Sequence, residues 1–433
     1  MANAFVITHG TAGDLLPLIG VGKALAADGH RVTVLTHSPY RDVVVGSGMD
    51  FVAIDTEEQY AQELLDTQRL NADVFRRPMA VAQFYERFTW FDQIRTEFTT
   101  LVDRHVPGDT VVVARHSSGV SALMAAETLG VPVAWVAVCP TQIQSLPLME
   151  KMYRYTIGAR MNKVRAEFGL PPIHDWVAWY DRPDLQIALW PDWFDKAGPA
   201  SPANVHLTGF VSHDPGESGT VPPEAEDLLN SATPPVLIAG GTSMVTHDNF
   251  YSTAAEGCAR AGRTGLLVCP HPDMVPQPLP PGIRWFRRLP FREVIPRVSA
   301  VIHHGGIGTL ARASASRTPQ IILPCNFDRP DNAARLAHLG LAEWLPVGQW
   351  TPERVAEALE RRVGRRLDPP APIDSAASGR LVADLVRGLL NGQQFPGARR
   401  NGDALLARLR QLSPAQRETL RRRLTAANEG EPR

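Results

Sequence analysis

Short apolar, β-rich runs alternate along this chain with longer stretches whose apolar residues recur at helical spacing. FVITHG (5–10) predicts a strand, PLIGVGKALAADG (17–29) a helix ending at Gly29, and RVTVLTH (31–37) and FVAID (51–55) two more strands. TVVVAR (110–115), a helical SSGVSALMAAETLG (117–130) and VPVAWVAV (131–138) keep the rhythm. It restarts with PVLIAGGT (235–242), a helix around 248–261, TGLLVCP (264–270), IRWF (283–286), a short helix over FREVIPR (291–297) and AVIHH (300–304). A helix from Gly308, the strand PQIILPC (319–325), a helix around 331–339 and TPERVAEALERRVG (351–364) complete it. Strands separated by helices make βαβ units and parallel sheets. The fold class is therefore α/β, with two doubly wound, Rossmann-like halves and a ligand cleft at the carboxyl ends of their strands.

The interruption, SHDPGESGTVPPEAEDLLNSATPP (212–235), is rich in Pro, Gly, Ser and acid and reads as a linker with one short amphipathic piece. The expected division is 1–212, a linker over 213–234, 235–371, a helix over 372–393 packing back towards the first half, and a tail over 394–433. Within that tail, DALLARLRQLSPAQRETLRRRL (403–424) is amphipathic and arginine-rich, with Ser413-Pro414 as a helix start.

Composition narrows the classes. At 433 residues the chain exceeds one core, and 44% hydrophobic residues, 21% charged residues and a net charge of −1 call for neither nucleic acid nor a membrane surface. Cys139, Cys258, Cys269 and Cys325 lack paired or metal-type spacing, as expected of reduced thiols. MANAFVITHG lacks the features of a signal peptide, and no apolar run approaches the ~20 residues of a membrane span. A cytoplasmic location without membrane insertion is the expectation.

The densest chemistry is VIHHGGIGTL (301–310). A strand ending at VIHH and a helix starting near Gly308 direct free N–H groups and the positive helix end at the turn. Gly305, Gly306 and Gly308 admit a ligand to the main chain, and Thr309 adds a hydroxyl. Such a turn binds anions through backbone alone, or it is only a tight turn beside two ordinary histidines. If His304 faces the turn it can donate to a phosphate oxygen, with His303 directed the other way.

The stretch HHGGIGTLARASASRTPQIILPCNFDRPDNAARLAHLG (303–340) resembles the donor-binding signature of inverting GT-B glycosyltransferases: HHGG-x-GT, a strand ending LP, an acid about five residues on, then Asn-Ala. RWFRRLPFREVIPRVSA (284–300) is similar to that family's proline-containing lead-in, and THGTAGDLLPLIGVGKALAADGHRVTVLTH (8–37) to its opening. NKVRAEFGLPP (162–172) and VHLTGFV (205–211) resemble the bacterial branch of rhamnolipid rhamnosyltransferases and natural-product glycosyltransferases.

That resemblance implies an N-terminal acceptor domain, a C-terminal nucleotide-sugar domain and roles for individual residues. The donor diphosphate would lie on His304, Gly306, Gly308 and Thr309, facing Gly241, Thr242 and Ser243. Asp14, in Gly13-Asp14-Leu15-Leu16-Pro17, takes the slot where many relatives carry a basic histidine and others an aspartate. As general base it would act as the acceptor's acidity rises during attack; it could equally cap the helix around Pro17. His9 and His116, each closing a strand, are reserve candidates. Asp328-Arg329 replaces the family's acid-Gln pair on the sugar; Arg329 cannot accept hydrogen bonds, and either meets an unusual sugar or turns to solvent. Arg288 stands where relatives stack a tryptophan on the base, which leaves UDP, dTDP and GDP open. There is no Asp-x-Asp in the chain, consistent with metal-independent transfer without a cofactor.

Aromatics and methionines in FYERFTWF (84–91), MEKMYRY (149–155) and WVAWY (176–180) are either core or lining for a large acceptor. The tail looks similar to linkers that open condensation modules of peptide synthetases; it either docks such a machine or is a solvated helix. The expected partners are thus a nucleotide sugar and a small natural product, such as a nonribosomal glycopeptide, with a homodimer left open. The alternatives are a rhamnolipid-type lipid acceptor and a non-catalytic GT-B helper.

Overall fold

The structure is a computed structural model that describes all residues except 71–77, 88, 117, 146–152, 181, 196–204, 214–218, 243–246 and 396–433. Its first sheet comprises β1 (Asn3–Ile7), β2 (Arg31–Thr36), β3 (Asp50–Ala53), β4 (Thr110–Arg115), β5 (Val133–Ala137), β6 (Leu185–Ala188) and β7 (Val205–Leu207), in the order β3-β2-β1-β4-β5-β6-β7. The second comprises β8 (Val236–Ala239), β9 (Gly265–Val268), β10 (Ile283–Phe286), β11 (Ala300–His303), β12 (Gln320–Ile322) and β13 (Ala342–Trp344), in the order β10-β9-β8-β11-β12-β13. All pairings are parallel. Helices cover both faces, so the strands are near-continuous apolar runs such as buried Val111–Ala114 and Val236–Ala239.

Strand order reverses between β1 and β4 and again between β8 and β11. In such sheets the crevice beyond the carboxyl ends at the reversal is where ligands bind. Register brings specific residues there. Ile7 pairs with Leu35 and Ala114, so His9, His37, Arg115 and His116 emerge at one edge. Ala239 and Ile322 both pair with His303, so Gly240, His304 and Leu323 emerge together at the edge of the second sheet.

The lobes are joined by more than a tether. Ala137, Trp190, Phe194 and Phe210 from the first form one apolar cluster with Ile307, Leu310, Ala333 and Leu336 from the second. Arg335 of the second lobe also reaches Asp195 Oδ1 (2.5 Å) and Gln144 Oε1 (3.2 Å) of the first. Within the segment read as linker, helix Pro223–Leu229 packs Ala225 and Leu229 into the second-lobe core. The last described helix, Ser375–Leu390, returns to the first lobe, where Val382, Val386 and Leu389 share a core with Leu18 and Ile19 of helix Ala12–Ala27. No helix among the described residues is long and apolar enough to cross a membrane.

Candidate functional site

The first-lobe edge is built around the turn between β1 and helix Ala12–Ala27. Thr11 is the N-cap and Asp14 the third helical residue, whose Oδ2 accepts the Thr11 N–H at 3.1 Å. Asp14 is therefore not the cap itself but its reciprocal partner, one turn earlier than the Pro17-based reading placed the helix start. The other oxygen, Oδ1, lies 2.7 Å from Arg115 Nη2 at the end of β4. Gly10 has φ +106°, and a Cβ there would collide with the Asp14 carboxyl, so this turn requires glycine. The Asp14 side chain keeps 23% exposure, enough to meet a ligand.

Behind Asp14 lies a buried polar network. His37 Nδ1 donates to Asp55 Oδ2 (2.5 Å) while its Nε2 accepts the Gly10 N–H (2.9 Å), and the Tyr60 hydroxyl donates to Gly10 O (3.0 Å). The Gly10 peptide is thus held from both sides. His9 Nε2 pairs with the fully buried Glu97, which also accepts from Ser121 Oγ (2.6 Å). Burial pulls the His9 pKa down, but attraction to Glu97 outweighs it and leaves the imidazole above its ordinary value. His116 is the opposite case: burial, reinforced by Arg115, lowers it to about 3, and it rests edge-on against Trp135 at 4.8 Å between ring centroids. His37, Asp55 and Glu63 bring possible metal-ligand atoms within 4.8 Å of one another. Both His37 nitrogens are already bonded, so a cation would have to displace Asp55 or the Gly10 amide.

The second-lobe edge faces this one. Gly306 caps helix Ile307–Ala315, leaving the N–H groups of Ile307, Gly308 and Thr309 without carbonyl partners inside the helix. Gly306 and Gly308 are half-buried rather than covered, and Thr309 is buried at the helix start. His303 points backwards as expected: its Nδ1 accepts the Gly305 N–H (3.2 Å) and its Nε2 donates to Gln320 Oε1 (3.1 Å). His304 lies between two glycine turns, because a Cβ on Gly306 or on Gly241, where φ is +87°, would strike its ring. Thr242 is exposed, and its carbonyl accepts from His271 Nε2 at 3.1 Å. Ser243 lies outside the described residues.

His304 Nδ1 lies 3.4 Å from Ala239 O. Burial, then the nearby Arg329 and His303, hold its pKa well below the ordinary value. Its Nε2 lies between the two glycine turns, on the side where the expected contact with a phosphate oxygen would be made.

After β12, Asn326 and Phe327 both take left-handed backbone (φ 58° and 53°) and swing Asp328 into the N-cap of helix Arg329–His338. Asn332 joins this turn to the glycine turn, donating to Asp328 Oδ2 (2.7 Å) and Gly305 O (3.1 Å). Burial raises the Asp328 pKa; Arg329 opposes the rise and the charge of Asp14, from the other lobe, adds to it. Arg329 does not turn to solvent: it is 7% exposed, with Nη1 3.7 Å from Cys325 Sγ. Arg288 is exposed between β10 and helix Phe291–Val294.

The aromatic clusters resolve mainly as core. Trp90, Phe91, Trp176, Trp179 and Tyr180 are buried in one first-lobe cluster, with Tyr85 packed against it. Of MEKMYRY, residues 149–152 lie outside the described set and Tyr155 is 75% exposed. Sequence reasoning passed over Arg115 and Glu97. The second carried a signal, since a glutamate sits on the apolar stripe of Trp90, Ile94, Phe98 and Leu101 in helix Trp90–Arg104.

Comparison with known proteins finds matches to both halves of the chain. Residues 4–135 match the glycosyltransferase family 28 N-terminal domain, and residues 271–378 match the C-terminal domain of erythromycin biosynthesis protein CIII-like proteins. The chain is 27% identical over 417 residues to O-mycaminosyltylonolide 6-deoxyallosyltransferase of Streptomyces fradiae, covering 87% of this chain and 93% of that protein. It is 24% identical over 366 residues to vancomycin aglycone glucosyltransferase of Amycolatopsis orientalis, covering 78% and 84%. The kitacinnamycin glycotransferase structure superposes with a TM-score of 0.66 at 19% identity, over 90% of this chain and 99% of that one. Fold and relatives together define a glycosyltransferase. The two matched domains, the relatives and the GT-B structural neighbours support a GT-B glycosyltransferase of the family 1 type.

Proposed function

We propose that this enzyme moves a sugar from a nucleoside-diphosphate donor to a hydroxyl of a small-molecule natural product, with inversion, needing neither metal nor cofactor. The observation that carries the reading is the packing of helix Ala12–Ala27, whose first turn holds Asp14, against helix Ile307–Ala315, which starts at the glycine turn. In a single displacement the acceptor oxygen attacks the anomeric carbon as its bond to the β-phosphate oxygen breaks. The hydroxyl proton passes to Asp14, which Arg115 and the Thr11 amide hold in place. Amides at Gly306, Gly308 and Thr309, with Gly241 and Thr242, receive the departing diphosphate, and Ser243 joins them by the family's pattern alone. His304 shapes that cradle from between the turns. Asp328 accepts from a sugar hydroxyl, and Arg288 is placed to stack on the base.

Relatives named for a tylonolide and for the vancomycin aglycone support an acceptor of the natural-product class, a glycopeptide included. The test is calorimetric titration with UDP, dTDP and GDP, followed by release of the winning nucleotide from its sugar in the presence of acceptor. At least one nucleotide should bind in the micromolar range. Failure of all three to bind would return the chain to the helper class.

A further inference from the structure

Side chains distant in sequence hold the turn that leads to Asp14, and they act on two successive peptide planes. The first plane joins His9 to Gly10. Its N–H donates to His37 Nε2 (2.9 Å), and Arg115 Nη1 reaches its carbonyl, His9 O (3.4 Å). The second plane joins Gly10 to Thr11. Its carbonyl, Gly10 O, accepts from the Tyr60 hydroxyl (3.0 Å), and its N–H donates to Asp14 Oδ2 (3.1 Å). A peptide unit is rigid and planar, so holding the carbonyl at one end aims the N–H at the other. Between the planes Gly10 sits at φ +106°, and a Cβ there would lie 3.0 Å from Asp14 Cγ. The carboxyl therefore rests on the Gly10 α-carbon.

The clamp is itself fixed. His37, just after β2, donates from Nδ1 to Asp55 Oδ2 (2.5 Å), while Asp55 Oδ1 accepts the Ser38 N–H (2.9 Å). Tyr60, on helix Glu57–Leu70, packs its ring on His37 at 4.5 Å between centroids and meets the Tyr40 hydroxyl at 2.8 Å. Both His37 and Tyr60 are buried, and both reach Asp14 through the backbone.

We infer that Tyr60 and His37 are positioning residues for the transfer step, setting the Asp14 carboxylate through the two peptide planes at Gly10. This rests on the reading of Asp14 as the general base. The chain of hydrogen bonds supports it. Tyr60 O–H bonds Gly10 O, and the N–H of the same peptide bonds Oδ2, so each bond polarises the next. Arg115 closes the frame from the other side, with Nη2 2.7 Å from Asp14 Oδ1 and Nη1 on the first plane. One oxygen is thus set by charge, and the other by a backbone whose orientation Tyr60 and His37 fix. Helix Ala12–Ala27 does not depend on the clamp, since Leu15, Leu18 and Ile19 anchor it in the core. Without the clamp the carboxyl can turn, and a base misplaced by ~1 Å costs up to about 10²-fold in rate.

The test is a double-mutant cycle on the full-length enzyme, with Tyr60→Phe and Asp14→Asn made singly and together. Turnover is read as nucleoside diphosphate released from the nucleotide sugar in the presence of acceptor, and the donor site is checked by calorimetry with UDP, dTDP and GDP. Tyr60→Phe should lower kcat about 5- to 50-fold and leave nucleotide affinity within about twofold. In the Asp14→Asn background the same substitution should change kcat by less than about twofold, because the group it positions is gone. His37→Gln, whose amide oxygen can take the Gly10 N–H, should lose less than His37→Ala and show the same dependence on Asp14. It also keeps the cycle readable if Tyr60→Phe fails to fold. An undiminished kcat in Tyr60→Phe would overturn the inference. Equal losses with and without Asp14 would make the clamp structural and overturn it too. Asp14→Asn turning over like wild type would instead end the base reading and this inference with it, a result distinct from either.

Discussion

A single hydrogen in place of a methyl group decides the shape of the donor turn at Gly306. Its backbone is ordinary (φ −66°), so the requirement is steric: a Cβ would land on His304 Nε2. Alanine there would push the imidazole off Ala239 O and into the space between the turns. We expect Gly306→Ala to lower nucleoside-diphosphate affinity at least about tenfold while the protein stays folded, as checked by calorimetry beside a melting curve. Unchanged affinity would mean that the diphosphate lies elsewhere. Asp14 is held differently, by charge and cap together, with one oxygen on Arg115 and the other on the Thr11 amide. Both oxygens are aimed before any acceptor arrives, which is the preorganisation a base needs.

Among elements, long periodic stretches were legible and short buried ones were not. The strands β1, β2, β4, β5, β8 and β11 could be read because each is an apolar run bounded by turn residues and followed by helical spacing. By contrast β6 and β7 are not followed at once by a helical stretch, and β7 and β13 span only three residues each. A segment as short as AEW is too brief to show any alternation, and LQIA, buried throughout, shows none of the expected polar face. The turn at Gly305, Gly306 and Gly308 was legible because its backbone requires glycine between strand and helix, whereas Gly241 and Asp328 were reached only through the family resemblance. Arg115 was not, since it closes a strand like any polar residue, and only pairing of β1 with β4 brings it to Asp14. The contact of His304 with Ala239 was also out of reach, as the two lie sixty-five positions apart in sequence.

At the scale of the whole molecule, two sheets present their reversal points to one another, fixed by an apolar seam and by the ion pair of Arg335 with Asp195. Such packing leaves several histidines buried without charge. Burial lowers His116 to about 3 and His303 to about 4, and holds His304 well below its ordinary value. Below pH ~6.5 the unfolded chain protonates these rings while the folded one resists, so each removes about 1.4 kcal/mol of stability per pH unit. His9, shifted upwards by Glu97, contributes stability that is complete below the same pH and so does not offset this fall. The raised Asp328 and Glu63 act the other way, recovering stability as pH falls from their raised values to the ordinary carboxylate range, and so offset part of the fall. Melting temperature should therefore drop from pH 6.5 to 4.5, on the order of 5–10 °C per unit, and a flat profile over that interval would place these rings in water. In the proposed reaction the join between lobes matters most, because the proposed base, Asp14, comes from one lobe and the proposed donor site from the other. Measuring kcat for Asp14→Asn beside its nucleoside-diphosphate affinity tests that division directly. Asparagine can still accept the Thr11 amide, so affinity should hold while kcat falls about 10²- to 10⁴-fold. A kcat within about threefold of wild type would show that Asp14 is not the base.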